Sequence, residues 1–187
     1  MRKLFFAVIS FLTLTSNINS QEKVSVRGVE TILNGNIPQE CITAPNFTAT
    51  KADMTDIQLS DYKGKNVILN IFPSLDTPTC AMSVRQFNAK ASSLDNTVVL
   101  CVSMDLPFAQ SRFCSVEGLN NVIPLSVFRS PDFKKNYGVI CTNGPLKGLT
   151  ARAVIVVNSE GKIIHTELVK NVSEEPNYQK ALESLSK

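Results

Sequence analysis

The run Asn66-Val67-Ile68-Leu69-Asn70-Ile71-Phe72 most constrains the fold, because its apolar residues do not alternate with polar ones. A strand of that kind needs cover on both faces, as in a parallel sheet flanked by helices. The residues that follow supply one of those helices. Pro73 to Asp76 reads as a tight turn, Thr77 suits an N-cap, and Pro78 suits the first helical position. Beyond it, Ala81, Val84, Phe87, Ala91 and Leu94 recur at helical spacing, with Arg85, Gln86 and Lys90 off that stripe. Thr97-Val98-Val99-Leu100-Cys101-Val102-Ser103 is a second buried run. Strand, helix and strand in that order predict a right-handed β-α-β unit with parallel pairing.

The rest of the chain fits around this unit. Val24 to Leu33, with Gly28-Val29 at its centre, predicts an N-terminal hairpin, and Asn34 to Pro38 is turn chemistry. Residues 41–54 read as extended, and 57–65 hold a polar turn. Leu106 to Gly118 is a short helix or turn opened by Pro107. Asn121 to Val127 is a short strand, and Pro124 places it at an edge. A short helix from Ser130 to Tyr137 follows, then a loop from Cys141 to Gly148. Ala151–Val157 and Lys162–Val169 flank the turn Asn158-Ser159-Glu160-Gly161 as an antiparallel hairpin, and Glu174–Leu185 closes the chain as a helix. His165 alternates along its strand toward the surface. The expected fold is α/β and thioredoxin-like, a central mixed β-sheet flanked by helices with an N-terminal β-hairpin.

The first twenty residues stand apart. Met1-Arg2-Lys3 is a basic start, Leu4 to Leu14 is an apolar run too short to span a bilayer, and small and polar residues lead to Ser20. We expect 1–20 to be a signal peptide, 21–187 to be one domain, and the mature chain to be exported, in the periplasm, with no membrane insertion. Loss of Arg2 and Lys3 takes Lys+Arg from 19 to 17 against 16 acids, so nothing points to nucleic acid. Five cysteines occur with a single histidine and without CxxC, which argues against a zinc site, and no cofactor is expected.

Counting from Thr77 puts Cys80 at N3, where unsatisfied N–H groups and the positive end of the helix dipole favour a reactive thiolate. A water-shielded thiolate there suits a small electrophile with a weak O–O bond, and attack gives a sulfenic acid. Pro73 shields such a pocket without an N–H of its own, and an arginine suits the leaving oxygen because it stays protonated. A second thiol would condense with the sulfenic acid. Cys114 is a candidate because its segment, Gln110 to Ser115, is polar and turn-rich, although a bland role fits that position as well. Cys101 reads as a small core residue, and Cys41 and Cys141 lie in loop-like contexts where they could be exposed or paired. Arg152 by itself reads as a strand residue facing solvent.

Pro73-Ser74-Leu75-Asp76-Thr77-Pro78-Thr79-Cys80 matches PxxxTxxC and resembles the peroxiredoxins. Asn70 to Asn88, Asp105 to Cys114, Glu117 to Val122 and Gly144 to Leu149 resemble their thiol peroxidase subfamily, of the atypical two-cysteine type. The resemblance implies a peroxidase acting on hydrogen peroxide and organic hydroperoxides, in protection against oxidative stress. It implies that Cys80 is peroxidatic and Cys114 resolving, joined as an intramolecular disulfide, with Thr77, Pro73 and Arg152 as pocket and activating residues. It also implies a homodimer reduced by thioredoxin. Export favours a thioredoxin-like protein as reductant instead. The competing readings are a thiol–disulfide oxidoreductase, weakened by the missing CxxC, and a non-enzymatic redox sensor.

Overall fold

The computed structural model describes residues 21–186, so the expected leader, 1–20, lies outside the described residues. The strands are β1 (Lys23–Val26), β2 (Val29–Ile32), β3 (Thr48–Thr50), β4 (Asp56–Gln58), β5 (Asn66–Ile71), β6 (Thr97–Ser103), β7 (Ile123–Ser126), β8 (Ala153–Val157) and β9 (Ile163–Leu168). The helices are α1 (Pro78–Ala91), α2 (Pro107–Glu117), α3 (Pro131–Asn136) and α4 (Tyr178–Glu183). Short 3₁₀ turns occupy Leu59–Tyr62 and Ser184–Ser186.

β5 lies inside a seven-stranded sheet of order β4-β3-β7-β6-β5-β8-β9, parallel to β6 and antiparallel to β8. Its unbroken apolar run is explained by the two faces. Val67, Leu69 and Ile71 point into one core with Leu100, Val102, Phe133 and Tyr137. Ile68 and Phe72 point into the other with Val99, Cys101, Val154 and Val156, which α1 covers through Cys80, Val84 and Phe87. Each fully buried Leu, Ile or Phe contributes about 1.5–3 kcal/mol, so both layers are needed to hold the central strands. The hairpin β1–β2 forms a separate two-stranded sheet with its own small core of Val24, Val26, Leu33, Cys141, Ala151 and Val172. This is the expected thioredoxin-like α/β architecture, with its N-terminal hairpin.

Several local expectations change. β7 is not an edge strand, since β3 lies beyond it. β3 reaches β7 only at Thr50–Ser126, so the strand remains edge-like at Pro124 and the missing N–H is tolerated. The final helix starts at Tyr178, not Glu174, because Asn177 accepts from the Lys180 N–H and caps it just after Pro176. His165 is not a surface residue; its side chain is 14% exposed, with Nδ1 3.9 Å from Glu40. Cys141 is buried in the hairpin core, not exposed, and the described cysteines are all free thiols.

Gly138 joins the segment after α3 to the strap at 34–37. Its φ is +61°, and an added Cβ would collide with the backbone of Asn36. Gly138→Ala combines backbone strain with a clash that no side-chain rotation relieves. We expect it to destabilise the fold by about 2–4 kcal/mol in urea unfolding, without a change in the slope of the transition.

Candidate active site

The site is built where the central strands end. The chain leaves β5 through Phe72 and Pro73, both buried, and turns at Ser74–Asp76 before α1 begins. Two contacts outside the turn fix it. Thr150 Oγ1 donates to the Phe72 carbonyl at 2.5 Å, and the Leu75 N–H donates to Asp105 Oδ2 at 2.9 Å. Asp105 is itself held by the Ser103 hydroxyl at 2.9 Å, at the end of β6.

Thr77 occupies the N-cap position with extended backbone (φ −114°, ψ 143°) and Pro78 is the first helical residue, as the spacing indicates. The Thr77 side chain does not cap the helix. Its hydroxyl lies 2.8 Å from Cys80 Sγ and 3.0 Å from the Ser74 carbonyl. One hydroxyl proton cannot serve both acceptors. When the sulfur is a thiol it donates to Thr77, which donates to Ser74; when it is a thiolate the Thr77 proton turns onto sulfur. This single rotor accommodates both states.

Cys80 is fully buried and shares the inward stripe of α1 with Val84 and Phe87. Its second partner comes from a distant part of the chain. Arg152 precedes β8 and is 1% exposed. Its Nε donates to the Val172 carbonyl at 3.1 Å and its Nη2 to Cys80 Sγ at 3.3 Å, while Nη1 is buried with no protein acceptor. Arg152 is therefore not the solvent-facing strand residue that its local sequence suggests. Burial is what aims its planar fork at the sulfur.

Thr77, Arg152 and Pro73 line a cavity of about 250 Å³ whose remaining walls include Val26, Leu146 and Val172. Val26 and the adjoining Arg27 belong to the N-terminal hairpin, so that small sheet completes the pocket. The hairpin is held there by the Val172 N–H donating to the Ser25 carbonyl at 2.9 Å. The first turn of α1 grips the same segment through Thr79 Oγ1 and the Ser173 carbonyl, 3.2 Å apart.

The structure thus brings Cys80, Thr77, Pro73 and Arg152 together. Cys114 stands on α2, half-buried and unbonded to Cys80, with its thiol pKa raised by burial. Burial pushes the Cys101 thiol up to about 12, against a hydrogen bond from Asn70, with the neighbouring Cys114 adding to the rise. Sequence reasoning gave no part to Asp105, Ser103 or the hairpin tip. The Asp105 signal was present, as an acid between a buried strand and a helix-opening proline, but the distant atom it serves was not legible.

Comparison with known proteins decides the family. The redoxin family model matches residues 42–182. A thiol peroxidase of Corynebacterium glutamicum is 47% identical over 164 residues, 88% of this chain and 99% of that protein. The chain belongs to the thiol peroxidase/peroxiredoxin family. It is a thiol-specific peroxidase, reducing peroxides by cysteine chemistry. The crystal structure of a peroxiredoxin-like protein from Aquifex aeolicus superposes with a TM-score of 0.83 at 35% identity, covering 88% of this chain and 95% of that one. A thiol peroxidase from Chromobacterium violaceum shares the fold, with a TM-score of 0.80 at 21% identity over 86% of this chain and 94% of that one.

The thiol environments separate the cysteines chemically. At pH 8 a thiol of pKa about 11, such as Cys141, or about 12, such as Cys101, holds at most about one thiolate in a thousand. We expect iodoacetamide to label the exposed Cys41 of the native reduced protein rapidly. Cys101 and Cys141 should be labelled only after denaturation, as mapped by peptide mass.

Proposed function

We propose that Cys80 is the sulfur that attacks the peroxide, and that Cys114 resolves it. The observation that carries this reading is the pair of donors on a fully buried sulfur, Thr77 Oγ1 at 2.8 Å and Arg152 Nη2 at 3.3 Å, both from residues that line the adjoining cavity. The Cys80 thiolate displaces the leaving oxygen along the O–O axis. A Cys80–O bond forms, the O–O bond breaks, and the departing alkoxide or hydroxide takes a proton to become alcohol or water. Charge develops on both oxygens in that transition state. The unpaired Nη1 of Arg152 is a preorganised donor for it, and Thr77 can reach the attacked oxygen from its rotor position. Pro73, which has no N–H, closes the wall without competing for the peroxide.

The Cys80 sulfenic acid then meets Cys114. The S–S bond forms, the S–O bond breaks, and the hydroxyl leaves with the Cys114 proton as water. A dithiol reductant of thioredoxin type restores both thiols and is itself oxidised to a disulfide. Because Cys80 is buried at N3 of α1, the first turn must unwind for the sulfurs to bond. Unwinding breaks the hydrogen bond from the Ala81 N–H to the Thr77 carbonyl and the one between Thr79 and the Ser173 carbonyl.

Peroxide consumption with a regenerating dithiol protein tests these roles. Cys80→Ser should abolish turnover, and Cys114→Ser should consume one equivalent and then stall. Arg152→Lys, which replaces a fork by a point charge, and Thr77→Val should each lower kcat/KM by about 10²-fold. Full turnover in Cys80→Ser would refute the assignment.

We further propose export to the periplasm through removal of residues 1–20, a homodimeric mature chain, and an exported thioredoxin-like protein as reductant. The basic start, the short apolar run and the polar stretch ending at Ser20 support the export reading. Among the described residues, no helix is long and apolar enough to cross a membrane. Cell fractionation with N-terminal sequencing should recover a chain starting at Gln21 outside the cytoplasm, sedimenting as a dimer. A full-length cytoplasmic chain would overturn the export proposal.

A further inference from the structure

α2 is held very differently at its two ends. Its first half is anchored in the interior. Pro107 and Gln110 are buried, and Gln110 Nε2 donates to Ser103 Oγ and to the Leu125 carbonyl, both at 3.0 Å. No residue of α2 beyond Gln110 is buried. The next firm anchor is Asn121, whose N–H donates to Asn88 Oδ1 of α1 at 2.8 Å and which precedes the buried Val122. Between these anchors lies the segment 111–120, and it carries Cys114.

That segment is fastened to α1 by the packing of Phe113 and Leu119 and by one polar side chain, Arg85. Arg85 Nε and Nη2 donate to Glu117 Oε2 and Oε1, each at 2.9 Å, a two-point fork on a carboxylate. The same guanidinium lies 5.8 Å from the centre of the Phe113 ring, the residue before Cys114. Phe113 and Leu119 lie partly buried against the core that holds Cys80, Val84 and Phe87. A longer contact, Arg112 to Asp76 at 3.7 Å, joins two strongly exposed side chains and adds little. Glycine at 118, with φ +65°, ends the helix immediately after Glu117.

We propose that the Arg85–Glu117 ion pair is a latch that holds segment 111–120 against α1 and sets how fast Cys114 is released to meet the oxidised Cys80. This rests on the proposed Cys80–Cys114 pairing. Arg85 sits beyond the first turn of α1, so it touches neither Cys80 nor the pocket and leaves the peroxide step alone. What it governs is a population. With the fork closed, Cys114 stays packed on its helix; with it open, the outer half of α2 can fray between Gln110 and Asn121. The latch therefore also sets a competition. A Cys80 sulfenic acid that waits for Cys114 is exposed to a second peroxide, which adds one oxygen to give the sulfinic acid and releases water or alcohol.

Glu117→Gln removes the charge and half of the fork at an exposed position. Rapid-quench mixing of the reduced protein with one equivalent of hydrogen peroxide, followed by alkylation and mass analysis, separates sulfenic acid from disulfide. We expect disulfide formation about three- to tenfold faster than in the wild type, with the rate of Cys80 oxidation unchanged. At high peroxide the fraction gaining two oxygens should fall by a similar factor. Salt should speed resolution in the wild type and not in Glu117→Gln, because screening weakens an exposed pair. The double variant Arg85→Glu/Glu117→Arg should return the slower rate.

Resolution that is unchanged or slower in a folded Glu117→Gln protein overturns the latch, as does a wild-type rate insensitive to salt. Cys114→Ser separates this from a failure of the pairing. If that variant still forms an intramolecular disulfide at the wild-type rate, the pairing itself falls and takes the latch with it.

Discussion

A cation buried at the end of the sheet organises this molecule. Arg152 is withdrawn from water almost completely, and among the described residues no carboxylate lies within ion-pair distance of it. A guanidinium in that position is costly unless its donors are used and its charge is met. Of its three nitrogens, Nε donates to the Val172 carbonyl and Nη2 to the Cys80 sulfur, while Nη1 is buried without a protein acceptor. The surrounding architecture follows from holding these atoms still. The hairpin β1–β2 braces the segment that carries Val172, the Thr150 hydroxyl pins Phe72, and Asp105 fixes the turn before α1.

On the proposed chemistry, a Cys80 thiolate would supply the negative partner that the buried Arg152 lacks. Its conversion to a neutral sulfenic acid would remove that charge, and with it the negative acceptor of the Thr77 hydroxyl. The outer half of α2 is tied to α1 from the outside, by Arg85 through Glu117.

The strand–helix–strand frame was legible because each element carried its own local signal. The unbroken run before Phe72 announced a strand covered on both faces, and Pro78 announced the helix start. Cys80 at N3 followed from counting alone. What failed depended on distant partners. Pro124 suggested an edge because its sequence does not show the short reach of β3. Thr77 looked like a capping side chain because its alternative acceptor is a sulfur one helical turn away. Cys141 looked exposed because its cover, Leu33, comes from the N-terminal hairpin. For Arg152 no local reading succeeds; an arginine entering a strand is ordinary on a surface, and only the resemblance pointed inward.

The two sulfurs thus live under opposite physical regimes. Cys80 is fully buried between α1 and the central strands, as the proposed attack requires. Cys114 is half-buried, in a segment held by the partly buried Phe113 and Leu119 and by the surface Arg85–Glu117 pair, as the proposed release requires. On that reading, burying Cys114 as deeply as Cys80 would stabilise the reduced fold and strand the sulfenic acid. Exposing Cys80 as much as Cys114 would forfeit its contact with the arginine. A single chain can satisfy both demands only if the two cysteines belong to elements of unequal local stability. The division of α2 at Gln110, with interior anchors before it and surface contacts after it, provides that inequality.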